Sequence, residues 1–360
     1  MKAPDVGWSP VSRPGPPDVT AAVVVAYLVR RIIGAVFLMV IVSMVTFAIF
    51  FLVPRLGGAT ADDLASRYVG KSAGPEQIHQ MAVKLGFTKP LYEQYGDFAS
   101  SVVRGADYDT GSGIEHCPAP CLGYSFITQN PVGPELLNRV PVTLSLAVGA
   151  AVIWVTFGVS TGVISALRKG SVFDRTAMSV ALAGVSLPIF FTGLLSLSVL
   201  SYGLHLFPPG SSYTPITENP VQWAYDLTLP WITLAFLYAA GYARLTRSGM
   251  LETMNEDYIR TARAKGLPER TVVIKHGLRA TLTPILTIFG LDLGLLLGGA
   301  VLTESTYSLN GIGKYAIDAI TTNDLPKVLG VTLLAATFIV VANLAVDLLY
   351  AVVDPRVRLS

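Results

Sequence analysis

Charged side chains are scarce in this sequence. Asp, Glu, Lys and Arg together make up 14% of its 360 residues, against about 25% in ordinary soluble domains, whereas hydrophobic residues reach 52%. This balance excludes a typical soluble domain and predicts a membrane protein with several spans. The net charge of +2 gives no support for nucleic-acid binding.

Complete catalytic signatures are also missing. Residues 70–72 (Gly-Lys-Ser) match the end of a phosphate-binding P-loop, but Ala65 occupies the position of the first glycine of that motif. The four histidines form no HExxH pair, and the sequence has no Gly-x-Ser-x-Gly elbow. The chain is therefore predicted to be non-enzymatic and to bind no nucleotide cofactor and no metal of its own.

Long apolar stretches are the main feature of the sequence. A bilayer core about 30 Å thick needs about 20 apolar residues at the helical rise of 1.5 Å per residue. Six stretches meet or approach this length, so the predicted fold is an all-α polytopic membrane protein with six transmembrane helices. The predicted spans are residues 27–53, 143–167, 177–200, 227–243, 282–301 and 328–353.

The distribution of lysine and arginine orients these spans. No Lys or Arg lies between Arg175 and Arg244, whereas eight lie from Arg244 to Arg279. The positive-inside rule places the loop 244–280 in the cytoplasm. It also makes residues 54–141, here called the outer segment, a long extracytoplasmic connection between the first two spans. Both termini are predicted to be cytoplasmic, as a disordered tail over 1–26 and a short tail over 354–360.

Only two cysteines occur, and both lie in the outer segment. Cys117 and Cys121 enclose three residues in a compartment where oxidation is permitted, which favours a small disulfide ring. A metal site with His116 as a third ligand is the alternative, but this spacing matches no zinc signature and no fourth ligand is evident.

The basic loop 244–280 has the pattern of two short helices. Glu256 precedes Arg260 by four residues, which predicts an ion pair on the first helix, and Gly266 is placed to end that helix. Pro268 then starts a second helix that is predicted to reach about Arg279. By charge alone, such a loop could equally rest on anionic lipid head groups.

The run from Tyr258 to Leu267 closely resembles the cytoplasmic loop of permease subunits of bacterial ABC importers, specifically the B-type subunit of the dipeptide and oligopeptide class. The usual Glu-Ala-Ala of the importer consensus is replaced here by Arg260, Thr261 and Ala262, and only the last alanine and Gly266 are kept. About sixteen residues, 106–121, are inserted relative to the family. Further matching segments are residues 86–95, 131–132, 139–144, 186–188, 304–313 and 354–356.

The resemblance implies a type I ABC importer permease fold in the inner membrane and a role as half of a translocation path for di- or oligopeptides. It implies coupling to separate ATPase subunits through residues 252–279. The implied partners are a second homologous permease subunit, two ATP-binding subunits that hold ATP and Mg²⁺, an extracytoplasmic solute-binding protein and membrane lipid. The implied ATPase-coupling residues are Glu256, Tyr258, Arg260, Thr261, Ala262, Arg263, Ala264, Lys265, Gly266 and Leu267. The same machine importing nickel or glutathione is an alternative.

A few unusual residues lie inside or beside the spans. Asp292 is costly at the bilayer centre, so it is either a residue of the translocation path or a hydrogen-bonded aspartate that holds helices together. As a proton relay, it would serve a secondary transporter that needs no ATP. Pro188 is a second path candidate because proline can bend a helix at a gate. Glu304 is most simply explained by solvation at a span end.

Glycines recur every four residues along the fifth predicted span, at positions 290, 294 and 298. They form a smooth face on which another helix can pack closely, and packing within this chain is favoured over a partner interface.

Overall fold

The computed structural model describes the backbone of residues 19–69, 73–110 and 113–353, and side chains from residue 29 to residue 346 within those ranges. The tail 354–360, most of the tail 1–26 and the partial P-loop match at 70–72 lie outside the described residues.

Helices account for most of the described chain. In chain order they are α1 (Val19–Phe47), α2 (Val53–Leu56), α3 (Ala61–Ala65), α4 (Pro75–Lys84), α5 (Leu91–Arg104), α6 (Val132–Leu137), α7 (Val140–Leu167), α8 (Val172–Ser186), α9 (Ile189–Ser196), α10 (Pro220–Thr253), α11 (Asp257–Ala264), α12 (Glu269–Thr271), α13 (Arg279–Leu297), α14 (Val301–Thr306), α15 (Ile312–Thr321) and α16 (Leu325–Val353). Wider π-helical turns connect several of them, at Ala48–Leu52, Leu197–Gly203 and Val272–Leu278, and a short 3₁₀ turn lies at Ser66–Tyr68.

Among the described residues, four continuous helices are long and apolar enough to cross a membrane, or five if one bent helix pair is counted as a span. The continuous ones are Val29–Leu56, Val132–Leu167, Glu269–Leu297 and Leu325–Val346. The fourth predicted span, 227–243, lies within the 34-residue helix α10, which is not among them. The count of six spans therefore stays a prediction.

The third predicted span, 177–200, is broken in the structure. Helices α8 and α9 meet at an angle of 103°, with Leu187 and Pro188 in extended conformations between them. A residue before proline is disfavoured in the helical region, and proline has no N–H to continue the hydrogen-bond ladder. Pro188 is exposed at this bend.

Two helix pairs form the centre of the fold. Helix α7 packs along α10, where Trp154 is fully buried and stacks on Tyr238 at a centroid distance of 4.8 Å. Helix α13 packs along α16, and Cβ atoms built on its glycines would meet Val346, Ile339, Ala342 and Ala335. The glycine face of the fifth span thus packs within the chain, as the periodicity favoured.

The outer segment has its own small core and departs from the all-α expectation. Leu64 and Phe87 of this segment are buried together with Phe47 and Phe51, which lie at the end of the first predicted span. The inserted residues form an antiparallel hairpin of β1 (Ala106–Asp109) and β2 (Ile114–Cys117), and a second pair joins β3 (Tyr124–Ser125) to β4 (Asn130–Pro131). Hydropathy over a span-length window carries no information on such short strands, so the prediction of helix alone was wrong here.

The two cysteines are paired in the structure. Cys117 and Cys121 form a disulfide with a Cα–Cα distance of 5.6 Å, and both side chains are buried. His116 is exposed and contacts Asp107 at 2.6 Å. Since both sulfur atoms are engaged with each other, neither is a thiolate ligand, and the arrangement does not fit the metal alternative.

Candidate coupling surface

Helix α11 carries most of the predicted ATPase-coupling residues and is held by a small apolar contact. Ile259 and Ala262, three positions apart, are 0% and 7% exposed and pack against Val272 and Met254. This spacing places both side chains on one face of the helix. The opposite face is exposed to solvent, so α11 is an amphipathic helix that packs against the protein through one face only.

The turn after α11 depends on a glycine. Gly266 has φ +76°, and its N–H donates to the carbonyl of Arg263 while the N–H of Leu267 donates to that of Ala262. This is the Schellman pattern that ends helices at a left-handed residue. A Cβ at Gly266 would meet nothing within 4 Å, so the backbone conformation, rather than a lack of space, requires glycine.

One ion pair of this region differs from the prediction. Arg260 contacts Asp257 at 3.3 Å instead of Glu256. Glu256 precedes the helix with an extended backbone (φ −67°, ψ 149°), so the four-residue helical spacing does not bring its side chain to Arg260. A second pair, which the sequence reasoning missed, joins Arg263 to Glu269 through two hydrogen bonds of 2.7 and 3.1 Å.

The second short helix that was predicted up to Arg279 does not exist as a separate element. Helix α12 has three residues and passes through the π-helical turn Val272–Leu278 into α13, so that Glu269–Leu297 is one helix of 29 residues. The loop therefore consists of one short helix, α11, and the N-terminal end of a membrane-spanning helix. Any displacement of that end is a displacement of the span itself.

Nearly all the predicted coupling residues are exposed together. Of the ten, only Ala262 is buried. Tyr258 and Leu267 are 46% and 39% exposed although both are large and apolar. We call the exposed residues of this set, together with Glu269, the coupling surface.

A partly buried ion pair connects α10, the helix that leads into the coupling surface, to the loop that precedes α8. Arg247 on α10 donates two hydrogen bonds, of 2.6 and 2.7 Å, to the carboxylate of Asp174 at the start of α8. The N–H of Gly170 donates to the same carboxylate at 2.9 Å. Sequence reasoning missed this contact, since nothing in the sequence links two residues this far apart.

Replacing Arg247 with alanine is expected to lower the melting temperature of the purified protein in detergent clearly, because the Asp174 carboxylate loses both guanidinium bonds. Arg260→Ala is the matched control, since its partner Asp257 is exposed and such pairs contribute about 1 kcal/mol or less. An equal response of the two variants would contradict a structural role for the Asp174–Arg247 pair.

Asp292 and Pro188, the two predicted residues of the translocation path, lie outside the coupling surface. The Tyr242 hydroxyl on α10 donates to the Asp292 carboxylate on α13 at 2.8 Å, and Asp292 is half-buried. This geometry fits the view of Asp292 as a hydrogen-bonded link between helices, and its role in translocation stays a prediction, as does that of Pro188. Glu304 is fully buried, so the expectation of interfacial solvation was wrong for this residue.

Apolar helices of span length, with a charged amphipathic element at one end of a span, define a multi-pass membrane protein. The chain belongs to the family of binding-protein-dependent transport system inner membrane components. The family model matches residues 158–359, and the model of the N-terminal part of the same membrane component matches residues 24–147.

Several relatives are similar over nearly their whole length. The chain is 39% identical to the di/tripeptide transport system permease protein DppB of Pseudomonas aeruginosa, covering 88% of this chain and 94% of that one. It is 37% identical to a putative peptide transport system permease protein of Brucella abortus (92% and 99%). It is 35% identical to the dipeptide transport system permease protein DppB of Escherichia coli K12 (92% and 98%).

Proposed function

We propose that this protein is the transmembrane permease subunit of an ATP-driven ABC importer for di- or oligopeptides and forms half of the translocation pathway. The observation that carries the proposal is the coupling surface, which lies at the N-terminal end of the helix Glu269–Leu297. The names of the relatives, which cover most of the chain, support the same assignment.

The geometry indicates how a partner subunit that binds ATP could drive this chain. A partner subunit that binds α11 and moves would displace Ile259 and Ala262. These side chains pack on Val272, near the start of the helix Glu269–Leu297. The Arg263–Glu269 pair makes a second connection between the same two elements. Side-chain packing would thus transfer movement of α11 to the membrane-spanning helix Glu269–Leu297, as alternating access requires.

The proposal includes the partners implied by the resemblance. Two ATP-binding subunits would bind ATP and Mg²⁺ and dock on the coupling surface, a second homologous permease would complete the pathway, and a solute-binding protein would deliver cargo at the outer segment. The protein would lie in the inner membrane with both termini in the cytoplasm. ATP hydrolysis would belong to the partners.

Peptide cargo is favoured over the alternatives by the relatives described above, whose names specify peptides. None of these names specifies nickel or glutathione. An ATP-independent transporter that uses Asp292 as a proton relay is also less well supported, because the Asp292 carboxylate is engaged by Tyr242 and the coupling surface would then have no use.

Replacing Gly266 with valine is expected to reduce ATP-dependent peptide uptake at least about tenfold while the protein still inserts into the membrane. A β-branched residue is strained in the left-handed conformation, at a cost of about 1–2 kcal/mol or more, so the turn between α11 and the long helix would rearrange. Uptake of a labelled dipeptide into proteoliposomes holding the complete complex measures the effect.

Gly266→Asn is the matched control, since asparagine tolerates the left-handed region and a Cβ at this position meets nothing. It should retain most of the uptake. Full uptake by the valine variant would contradict the coupling role of this turn, and uptake by the wild-type complex without ATP would contradict the proposed function itself.

A further inference from the structure

A network of charged side chains joins the outer segment to the start of the last helix. Lys327, in the first turn of α16, contacts Glu135 of α6 at 2.9 Å and lies 3.9 Å from Asp324. The Tyr315 hydroxyl donates to the same Glu135 carboxylate at 2.6 Å. The Ser125 hydroxyl of β3 donates a hydrogen bond to the Asp324 carboxylate. We call Ser125, Glu135, Tyr315, Asp324 and Lys327 the outer joint.

The outer joint is buried to a degree unusual for charged residues. Asp324 and Lys327 are 1% and 7% exposed, and the Lys327 ammonium lies 4.9 Å from the centre of the Tyr315 ring. Charged groups lose hydration when buried, and apolar residues of the same volume often stabilise a fold equally well. What a paired, hydrogen-bonded network adds is a fixed relative position of the elements it connects.

The packing around the outer joint leaves little freedom for α16 to slide against the outer segment. A Cβ on Gly330 would lie 2.7 Å from Val132 of α6, and one on Gly123 would lie 3.1 Å from Pro326. The two elements therefore approach each other closely on both sides of Lys327. A displacement of the outer segment at this point is passed on to α16.

From α16 the contact continues to the coupling surface. Helix α16 packs on the glycine face of α13, where a Cβ on Gly290 would lie 2.2 Å from Val346 and one on Gly298 3.0 Å from Ala335. Helix α13 is the continuation of the helix that begins at Glu269. Glu269 is ion-paired with Arg263 of α11. Closely packed elements thus extend from the outer joint to the coupling surface.

We propose that Lys327 and its ion pair with Glu135 position the outer segment on α16 so that engagement of the solute-binding protein outside is transmitted to the ATPase subunits inside. Lys327 is a positioning residue in this scheme and contacts neither cargo nor nucleotide. The proposal rests on the proposed function, because it assumes the ATPase and binding-protein partners. It assigns a specific step, the stimulation of ATP hydrolysis by the loaded binding protein, to a specific contact.

The test uses the complete complex in proteoliposomes, with ATP hydrolysis measured before and after addition of binding protein loaded with a dipeptide. Lys327→Met keeps the aliphatic stem but removes the charge. We expect it to lower the stimulation by the binding protein at least about fivefold, the lower end of ordinary coupling between two sites, with unstimulated hydrolysis unchanged. Glu135→Gln, which retains the size of the side chain, should lower it less.

Two controls separate transmission from general damage. Lys89→Met removes an exposed ion pair with Asp97, whose two residues both belong to the outer segment, and should leave stimulation at the wild-type value. The double variant Lys327→Glu with Glu135→Lys rebuilds the pair in reverse and should recover more stimulation than either of its single variants.

Wild-type stimulation in Lys327→Met would overturn the proposal. If that variant does not assemble, Glu135→Gln is read in the same assays: reduced stimulation with unchanged basal hydrolysis supports the proposal, while loss of assembly here too shows a purely structural joint and overturns it. Absence of ATP hydrolysis by the wild-type complex would instead contradict the proposed function.

Discussion

Gly162→Ala is expected to destabilise the protein, although alanine is normally the better helix former. A Cβ at this position of α7 would lie 2.5 Å from Cβ of Thr246 and 2.6 Å from the carbonyl oxygen of Ala243 on α10. The carbonyl belongs to the backbone, so no rotamer change relieves the overlap and the helices must separate. Overpacking of this kind costs about 1–3 kcal/mol or more.

Gly241→Ala is the matched control on α10, because a Cβ at Gly241 would meet nothing within 4 Å. There the higher helix propensity of alanine, about 1 kcal/mol, should leave stability equal or slightly raised. Melting temperatures of both variants in the same detergent make the comparison. Equal melting temperatures would show that α7 and α10 do not approach as closely at Gly162 as the structure indicates.

Gly162 and the glycines of α13 also show how far the sequence could be interpreted. Small residues at four-residue spacing, such as Gly158 and Gly162 of α7, predict a close helix contact, and that contact is present in both helix pairs. The pattern does not identify the partner helix, because many apolar helices present a suitable surface. The pairing of α7 with α10 and of α13 with α16 emerges only when all helices are packed together.

Proline illustrates a different limit. Pro188, Pro230 and Pro284 all lie in apolar stretches, yet only Pro188 interrupts its helix, whereas the other two lie inside α10 and α13. Whether a helix continues past proline depends on how neighbouring groups satisfy the freed carbonyl. That information belongs to the tertiary structure, so the sequence predicted a bend at Pro188 without its size.

The candidate site divides in the same way. Local signals predicted correctly that a short helix ends at Gly266, because helix termination depends on neighbouring residues, but they placed Glu256 inside that helix, whereas it precedes it. The Arg247–Asp174 and Lys327–Glu135 pairs were not predictable, since complementary charges far apart in one sequence carry no pairing information. The continuation of the loop into α13 was missed because Pro268 suits the start of a short helix and of a long one equally.

Glu304→Ala is expected to destabilise the protein strongly. Glu304 is fully buried; its carboxylate accepts hydrogen bonds from the Thr143 hydroxyl at 2.7 Å and from the N–H of Lys314 at 3.0 Å. Thr143 in turn accepts from the N–H of Ile312 at 2.8 Å. Alanine leaves the buried Thr143 hydroxyl and the part-buried N–H of Lys314 without this acceptor, at up to about 1–3 kcal/mol each. Glu218→Ala, at an exposed position, is the control and should change stability little.

Glu304→Gln separates the hydrogen bonds from the charge. The amide keeps an acceptor for the N–H of Lys314 and nearly the same volume, so this variant should be much more stable than Glu304→Ala. Burial raises the pKa of the Glu304 carboxyl; a raised pKa in the folded state means that stability is present at low pH and is lost as the pH rises through that pKa. The melting temperature of the wild-type protein should therefore fall relative to that of Glu304→Gln as the pH rises above the ordinary glutamate range. A constant difference between the two proteins at every pH would show that the carboxyl does not change its protonation on folding and would contradict this account.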